Sequence, residues 1–233
     1  MSPMRRKSIA GVLLDVDGTL IDSNDAHARA WCEALTESGR NDIPYERVRP
    51  LIGMGGDKLL PHLLGVAADS ELGKKLTARR DCIFREKYVP GLRLTRGAKE
   101  LLERLRHEGL RLTIATSARE EELETMLKQV GLDTLLHRKT SSDDVERSKP
   151  DPDVIRAALD KSGLEADAVV MLGDTPYDIE AAQRAGVEAV ALLCGGWGAE
   201  DFDGAAAIYE DPADLLRHFT ASPFSSVASN QSR

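Results

Sequence analysis

Cysteine is scarce in this chain of 233 residues. Cys32, Cys82 and Cys194 are odd in number and widely spaced, with no metal-type pairing. They predict ordinary thiols in a reducing compartment, the cytoplasm, and not a disulfide framework. Long apolar runs are missing as well: nothing reaches the roughly 18 residues of a membrane span, so no membrane partner is expected. Met1 to Lys7 is basic, but the apolar run behind it carries Asp15 and Asp17 and no cleavage site, which argues against a signal peptide. Basic excess is also absent. Lys and Arg total 31 against 39 Asp and Glu, a net charge of −8, the reverse of a general nucleic-acid binder. What the chain does have is apolar content, 42%, enough for a substantial core in one domain with an insertion or in two small domains.

The chain is organised around the stretch from Ile9 to Ser23. It begins as an apolar run of buried-strand length and ends in two aspartates, Asp15 and Asp17, followed by Gly18 and Thr19 for a sharp exit. A core strand ending in carboxylates is costly unless a cation, donors or water meet them. From about Asn24 to Val89 the pattern is helical throughout. Ala26, Ala30, Trp31, Ala34 and Leu35 share a helical face ended by Gly39, a glycine-rich break spans Leu51 to Gly56, and a short helix covers Lys58 to Leu64. A longer charged helix runs from about Asp69 to Tyr88, and Pro90-Gly91 closes the insert.

From Thr95 strands and helices alternate. Four predicted helices end in glycine followed by an apolar residue: Gly109-Leu110, Gly131-Leu132, Gly163-Leu164 and Gly186-Val187. Strands are expected at Arg111–Thr116, Leu135–Thr140, Ala168–Leu172 and Ala189–Leu193. Short connections between them imply an α/β fold with a doubly wound parallel sheet and right-handed crossovers. The tail from Ala221 to Arg233 is small and polar and is expected to fray.

Ligands of such sheets bind beyond the carboxyl ends of the strands, and there the unusual polar residues fall. Thr116-Ser117 follows the second strand and suits an anion such as phosphate, although both types also cap helices. Lys149 follows the third strand in a loop stiffened by Pro150 and Pro152; a lone loop lysine is more often solvated. Asp174 sits at the tip of the fourth strand, with N-capping as its alternative role. Asp178, four residues on, can face the same site from a first helical turn. Carboxylates converging from two strand ends suit Mg²⁺.

Asp15-Val-Asp17-Gly-Thr19, Thr116-Ser117, Lys149-Pro150 and Gly173-Asp174-Thr-Pro-Tyr-Asp178 together resemble the four motifs of the haloacid dehalogenase superfamily, in order and with similar separations. The likeness spans about Ser8 to Leu216, and lies nearest the phosphoglycolate phosphatase and β-phosphoglucomutase-like branch. It implies a Rossmann-like core over residues 1–22 and 91–233, and an inserted all-helical cap of the C1 type over residues 23–90. It further implies that Asp15 is the nucleophile, giving an aspartyl-phosphate, and that Asp17 is the acid and then the base. Two carboxylates so close cannot both ionise freely without a cation, which would help keep Asp17 able to carry a proton. Mg²⁺ would be held by Asp15, the Asp17 backbone carbonyl and Asp174, with Asp178 as ligand or support. Thr116, the Ser117 backbone and Lys149 would hold the transferring phosphoryl group.

The expected activity is Mg²⁺-dependent hydrolysis of a small phosphorylated metabolite, phosphoglycolate or a hexose phosphate at family level. Asp17 argues against the dehalogenase and phosphonate-cleaving branches, and the run after Asp15 is not that of cation-pumping ATPases. His27 with Ala30-Trp31 resembles a mutase pattern that related phosphatases share. Gly55-Gly56-Asp57-Lys58, where a mutase has a Ser-Arg pair, and Gly173, where it has Glu, favour water as the final acceptor. A sugar-phosphate mutase is the alternative, and a phospho-accepting signalling domain that binds Mg²⁺ is a second one from another class. Trp31 and Trp197 read as packing residues, and His27 as structural or as closing the site beside Asp17. Lys58 and Arg49 read as cap charge for an anionic substrate or as solvated surface.

Overall fold

The computed structural model describes residues 9–136 and 138–225. At its centre lies a six-stranded sheet in which every neighbouring pair is parallel. Its strands are β1 (Gly11–Leu14), β2 (Arg111–Ala115), β3 (Lys139–Thr140), β4 (Val169–Gly173), β5 (Glu188–Leu192) and β6 (Ala207–Tyr209), ordered β3-β2-β1-β4-β5-β6. β1 is central. Leu14 stands opposite Ile114 on one side and Leu172 on the other, so three strands end at one level and their exit loops share one edge. Winding goes from β1 outward to β3 and then, across β1, from β4 outward to β6; the loops after β1 and β4 part at this reversal and leave a crevice. Val12, Leu13 and Leu14 are all fully buried, as a strand covered on both faces requires: Val12 and Leu14 join one apolar cluster and Leu13 the other.

Between β1 and β2 the chain is helical: α1 (Asn24–Glu37), α2 (Tyr45–Val48), α3 (Gly56–Leu64) and α4 (Glu71–Ile83), with no strand among these residues. The predicted long helix over 69–88 stops being regular at Ile83 and continues through a π-turn, Phe84–Tyr88, into a 3-10 turn at Val89–Gly91. The segment has an apolar cluster of its own, with Ala28, Trp31, Leu35, Leu59, Leu60 and Leu76 at its heart, each side chain worth about 1.5–3 kcal/mol where a large apolar group is fully buried. Trp31 is thus a packing residue, as expected. The opposite side of α1, through Ala30 and Ala34, joins Ile83 and Phe84 on the main core.

α5 (Ala98–His107) leads into β2, and beyond that strand come α6 (Glu120–Val130), α7 (Asp153–Ser162), α8 (Pro176–Arg184) and α9 (Pro212–Arg217). α5, α6 and α9 cover one face of the sheet and α7 and α8 the other, which makes it doubly wound. Gly109, Gly131, Gly163 and Gly186 all carry the positive φ expected of helix ends. Three expectations need correction. The third strand, predicted over Leu135–Thr140, is only Lys139–Thr140; Leu135 and Leu136 close a turn back onto Leu132, and His137 lies outside the described residues. A sixth strand, β6, was not expected: three residues on the sheet edge leave too short a pattern to read. The tail does not fray from Ala221, because Phe224 is buried in the main core and Ser222 and Ser225 are buried around it; residues 226–233 lie outside the described range, as do Met1 to Lys7. All three cysteines are free thiols, and no helix among the described residues is long and apolar enough to cross a membrane.

Candidate active site

Four loops at the carboxyl edge bring the predicted residues together. The Asp15 amide donates to the Leu172 carbonyl at 2.9 Å, extending the β1–β4 ladder one residue past the strand and fixing the carboxylate at the edge. Its Oδ1 accepts from Lys149 Nζ at 2.5 Å, and its Oδ2 from the Thr19 hydroxyl at 3.2 Å. Lys149 also donates to Asp178 Oδ1 at 2.6 Å and is only 1% exposed, so the loop lysine that composition would leave in solvent is buried between two acids. Asp178 lies in the first turn of α8, where its Oδ2 accepts from the Thr175 amide (3.0 Å) and hydroxyl (2.7 Å). The cap of α8 is therefore Thr175 and not Asp174. Asp174 is fully buried, its two oxygens held by Thr19 Oγ1 at 2.7 Å and Asn24 Nδ2 at 2.8 Å. Gly18 makes this approach possible: any Cβ there would lie 2.1 Å from both Asn24 Nδ2 and Asp174 Oδ2.

Three buried carboxylates, Asp15, Asp174 and Asp178, each offer an oxygen within 4.8 Å of the others. Burial pushes the Asp15 carboxyl well above its ordinary value; Lys149 pulls it down in part, while Asp178, Asp174 and Asp17 push it further up. Burial and the neighbouring Asp178 raise Asp174 to about 7, against the hydrogen bonds of Thr19 and Asn24. Burial acts in the opposite sense on Lys149, but Asp15 and Asp178 outweigh it and keep the ammonium charged. One lysine facing three acids leaves unmet negative charge, and a hard divalent cation with oxygen ligands fits that set.

Asp17 points elsewhere. Its Oδ1 meets the Ser23 hydroxyl at 2.5 Å and His27 Nε2 at 2.7 Å, on the first turns of α1. His27 stacks on Phe84, ring centroids 4.0 Å apart, and its Nδ1 meets Arg80, which in turn pairs with Glu122 of α6. A line of contacts thus runs from Asp17 through the helical segment and back to the sheet domain. Burial alone would raise Asp17, but His27, Ser23 and Arg80 outweigh it and hold the carboxyl below its ordinary value. Closeness to Asp15 is thus not the main influence on Asp17, whose carboxyl is governed by the partners it meets on and behind α1.

Between the sheet edge and the helical segment lies a cavity of about 540 Å³, with Asp15, Asp17, Thr116 and Ser117 on one side and Ile52 to Asp57 on the other. Thr116 Oγ1 accepts from the Ala118 amide at 3.1 Å, whereas the Ser117 hydroxyl is buried with no partner. Neither residue caps α6, whose preceding residue is Arg119. This hydroxyl lines the same cavity as the Asp15 carboxylate and has a proton left to donate to an acceptor such as a phosphoryl oxygen.

The family model described as haloacid dehalogenase-like hydrolase matches residues 12–192. The chain belongs to this family. A phosphoglycolate phosphatase of Aliivibrio fischeri is 33% identical over 190 residues, 79% of this chain and 84% of that one. The pyrophosphatase PpaX of Bacillus velezensis is 27% identical over 219 residues, covering 93% and 99%. Among solved structures, a hydrolase from Pseudomonas syringae superposes with a TM-score of 0.85 at 34% identity, over 91% of this chain and 98% of that one.

In this haloacid dehalogenase-like hydrolase, Asp15, Lys149, Asp174 and Asp178 form one contact network, with Thr116, Ser117 and Asp17 on the same cavity. Sequence reading missed Thr19 as the hydroxyl joining Asp15 to Asp174, Asn24 as the partner of Asp174, and Arg80 and Glu122 behind His27. Asn24 and Thr19 had one signal, their nearness to the first motif. Arg80 and Glu122 had none. Arg49 and Lys58 are not free for substrate: Arg49 bonds Asp25 at 2.7 Å and the Gly195 carbonyl at 2.6 Å, and Lys58 pairs with Asp151 at 2.5 Å.

Proposed function

We propose that this chain is a Mg²⁺-dependent phosphatase that hydrolyses a small phosphorylated metabolite through an aspartyl-phosphate on Asp15. The division proposed with it is a core of residues 1–22 and 91–233 under a cap of residues 23–90, in a cytoplasmic setting suited to three free thiols. The observation that carries the reading is the Asp15 carboxylate, buried on the cavity, paired with Lys149 and sharing that cavity with an unpartnered Ser117 hydroxyl. Relatives named phosphoglycolate phosphatase and pyrophosphatase support the same reaction class.

Asp15 Oδ attacks phosphorus, and the bond from phosphorus to the leaving oxygen breaks as that oxygen takes a proton from Asp17. The Asp17 carboxylate then takes a proton from water, whose oxygen displaces Asp15 and releases phosphate. The proton that Asp17 gives to the leaving oxygen is replaced by the one it takes from water, so each turnover returns it to its starting form. Thr116, Ser117 and Lys149 orient the equatorial oxygens and oppose their charge. Asp15, Asp174 and Asp178, with the Asp17 carbonyl, would hold Mg²⁺, which when bound neutralises charge on the phosphoryl group.

Two contacts favour water over a second sugar hydroxyl as the final acceptor. Arg49 and Lys58, the cations considered for a distal phosphate, are already paired, leaving neither to grip it. A Cβ at Gly173 would lie 2.5 Å from Asp178 Cβ, so the glutamate of a mutase has no room there. A phosphate-release screen in Mg²⁺ buffer, with phosphoglycolate, pyrophosphate and hexose phosphates, tests the reading. Free phosphate is expected; conversion of glucose 1-phosphate to the 6-phosphate without phosphate release would overturn it.

The metal assignment carries its own prediction. Without a cation, the raised Asp174 contributes stability that is full below its unfolded value near 4 and lost as pH rises through about 7. Mg²⁺ binds the ionised form, so it should raise the melting temperature more at pH 8 than at pH 6. At a hundredfold excess over its Kd the gain is about 2.7 kcal/mol, reversed by a chelator. Equal shifts at both pH values would remove the carboxylate site. For His27→Ala, kcat should fall about 10–100-fold, and its acidic limb should move to higher pH as Asp17 loses the partner that holds it down. An unshifted pH–rate profile would make His27 purely structural.

A further inference from the structure

The stretch where a mutase would carry its phosphate-gripping pair does something else in this protein. Gly55, Asp57 and Lys58 of the cap lie on the loop that bears Lys149. Asp57 accepts hydrogen bonds from the Ser148 hydroxyl and, at 3.2 Å, from the Ser148 amide. The same hydroxyl accepts from the Gly55 amide at 3.0 Å. Three residues on, Asp151 Oδ2 accepts from Lys58 Nζ at 2.5 Å. Two consecutive cap residues therefore grip both ends of the loop 148–151. Ser148 is 2% exposed, so its bonds to the cap are sheltered from competing water.

Between the two grips sits Lys149, whose ammonium points into the core against Asp15 and Asp178. Pro150 and Pro152 stiffen the chain on its carboxyl side, and the Asp151 amide closes the loop by donating to the Ser148 carbonyl at 3.0 Å. Displacement of Ser148 or Asp151 is thereby passed to Lys149. Asp151 has two other cations at longer range, Arg147 at 3.8 Å and Arg184 at 3.7 Å, both from the core; Lys58 is the closest and the one supplied by the cap.

We propose that Asp57 and Lys58 are positioning residues that act through the 148–151 loop, so that Lys149 is held against Asp15 only while the cap is seated. The inference rests on the reading of Asp15 and Lys149 as the reacting pair. It makes the cap more than a cover, because seating it completes the charge arrangement at the nucleophile.

The test uses the full chain, Asp57→Ala and Lys58→Met, a small aryl phosphate that does not span the cavity, and amine labelling of Lys149 followed by peptide mass spectrometry. A misplaced loop should lower kcat by about 10–100-fold with little change in KM. Lys149, shielded in the parent, should label at least about tenfold faster in both variants as the loop loosens and the ammonium gains access to solvent. Lys58→Arg, which keeps a cation facing Asp151, should restore kcat and shielding. Lys58 is partly exposed, so Lys58→Met is expected to fold even if Asp57→Ala does not. Unchanged kcat and labelling in Lys58→Met, or an effect confined to KM, would overturn the proposal. Labelling does not depend on turnover, so failure of the phosphatase reading, seen as an active Asp15→Asn, remains a separate result.

Discussion

Asp15→Asn is expected to abolish phosphate release from an aryl phosphate, by about 10⁴–10⁶-fold, while the protein stays folded. Asparagine has the shape of aspartate, so the packing at the end of β1 is kept. The backbone bond from residue 15 to the Leu172 carbonyl does not involve the side chain. The amide oxygen can still accept from Lys149 while the amide nitrogen donates to the Thr19 hydroxyl oxygen, and Lys149 keeps Asp178. The electrostatic change is mixed: Lys149 loses one charged partner, but a buried charge repelled by Asp174 and Asp178 disappears as well. A melting temperature within a few degrees of the parent should result. What is lost is the charged oxygen that, in the proposed mechanism, attacks phosphorus. Substantial turnover by this variant in Mg²⁺ buffer, with purity established by a second preparation, would remove Asp15 from the role. An acyl phosphate on the parent that persisted for hours without turnover would instead favour a phospho-accepting domain.

Motif residues were legible from sequence because their chemistry is local to strand ends. Asp15, Lys149, Asp174 and Asp178 each follow a buried strand or a stiffened loop, and a parallel sheet with short crossovers has one edge at which such loops meet. The groups that govern Asp17 were not legible. Counting the distance to Asp15 along the chain suggested mutual repulsion, yet the Asp17 carboxylate is governed by Ser23, His27 and Arg80, the last 63 positions away. Arg80 and Glu122 look like ordinary charges on amphipathic helices, and only the closure of the helical segment on α6 brings them behind His27. Lys58 and Arg49 stayed open between substrate charge and solvated surface for a related reason: their partners, Asp151 for the lysine, Asp25 and the Gly195 carbonyl for the arginine, lie far off in the chain. The edge strands failed differently. β3 has two residues and β6 three, so their pairing comes from neighbours and not from any pattern of their own. In the tail, one aromatic, Phe224, reverses what its small polar neighbours imply.

Lys149→Met is expected to have the second largest effect, and on stability as well as on rate. Methionine fills much of the same volume, but the variant leaves Asp15 and Asp178 buried without their shared cation. Removing one member of a buried ionic group costs about 3–5 kcal/mol, because the remaining charges are neither hydrated nor paired. Asp178 keeps the Thr175 amide and hydroxyl, so the greater burden falls on Asp15, which retains only Thr19. Lys149 is the main influence pulling the Asp15 carboxyl down, and without it burial drives that group higher still. Nucleophilic attack requires the ionised form. Turnover should therefore fall about 10²–10³-fold at neutral pH and recover in part as pH rises through the new Asp15 value. Stability should move the other way in the metal-free variant, being greatest at low pH where Asp15 is protonated and declining as it ionises. Mg²⁺ should restore part of the lost stability, since the cation can meet the carboxylates that the lysine no longer does. Rate and stability with opposite pH trends would tie both to one carboxylate. A variant that melted like the parent at every pH and lost less than about twofold in rate would show that Lys149 fills space at this site and carries no charge that matters to it.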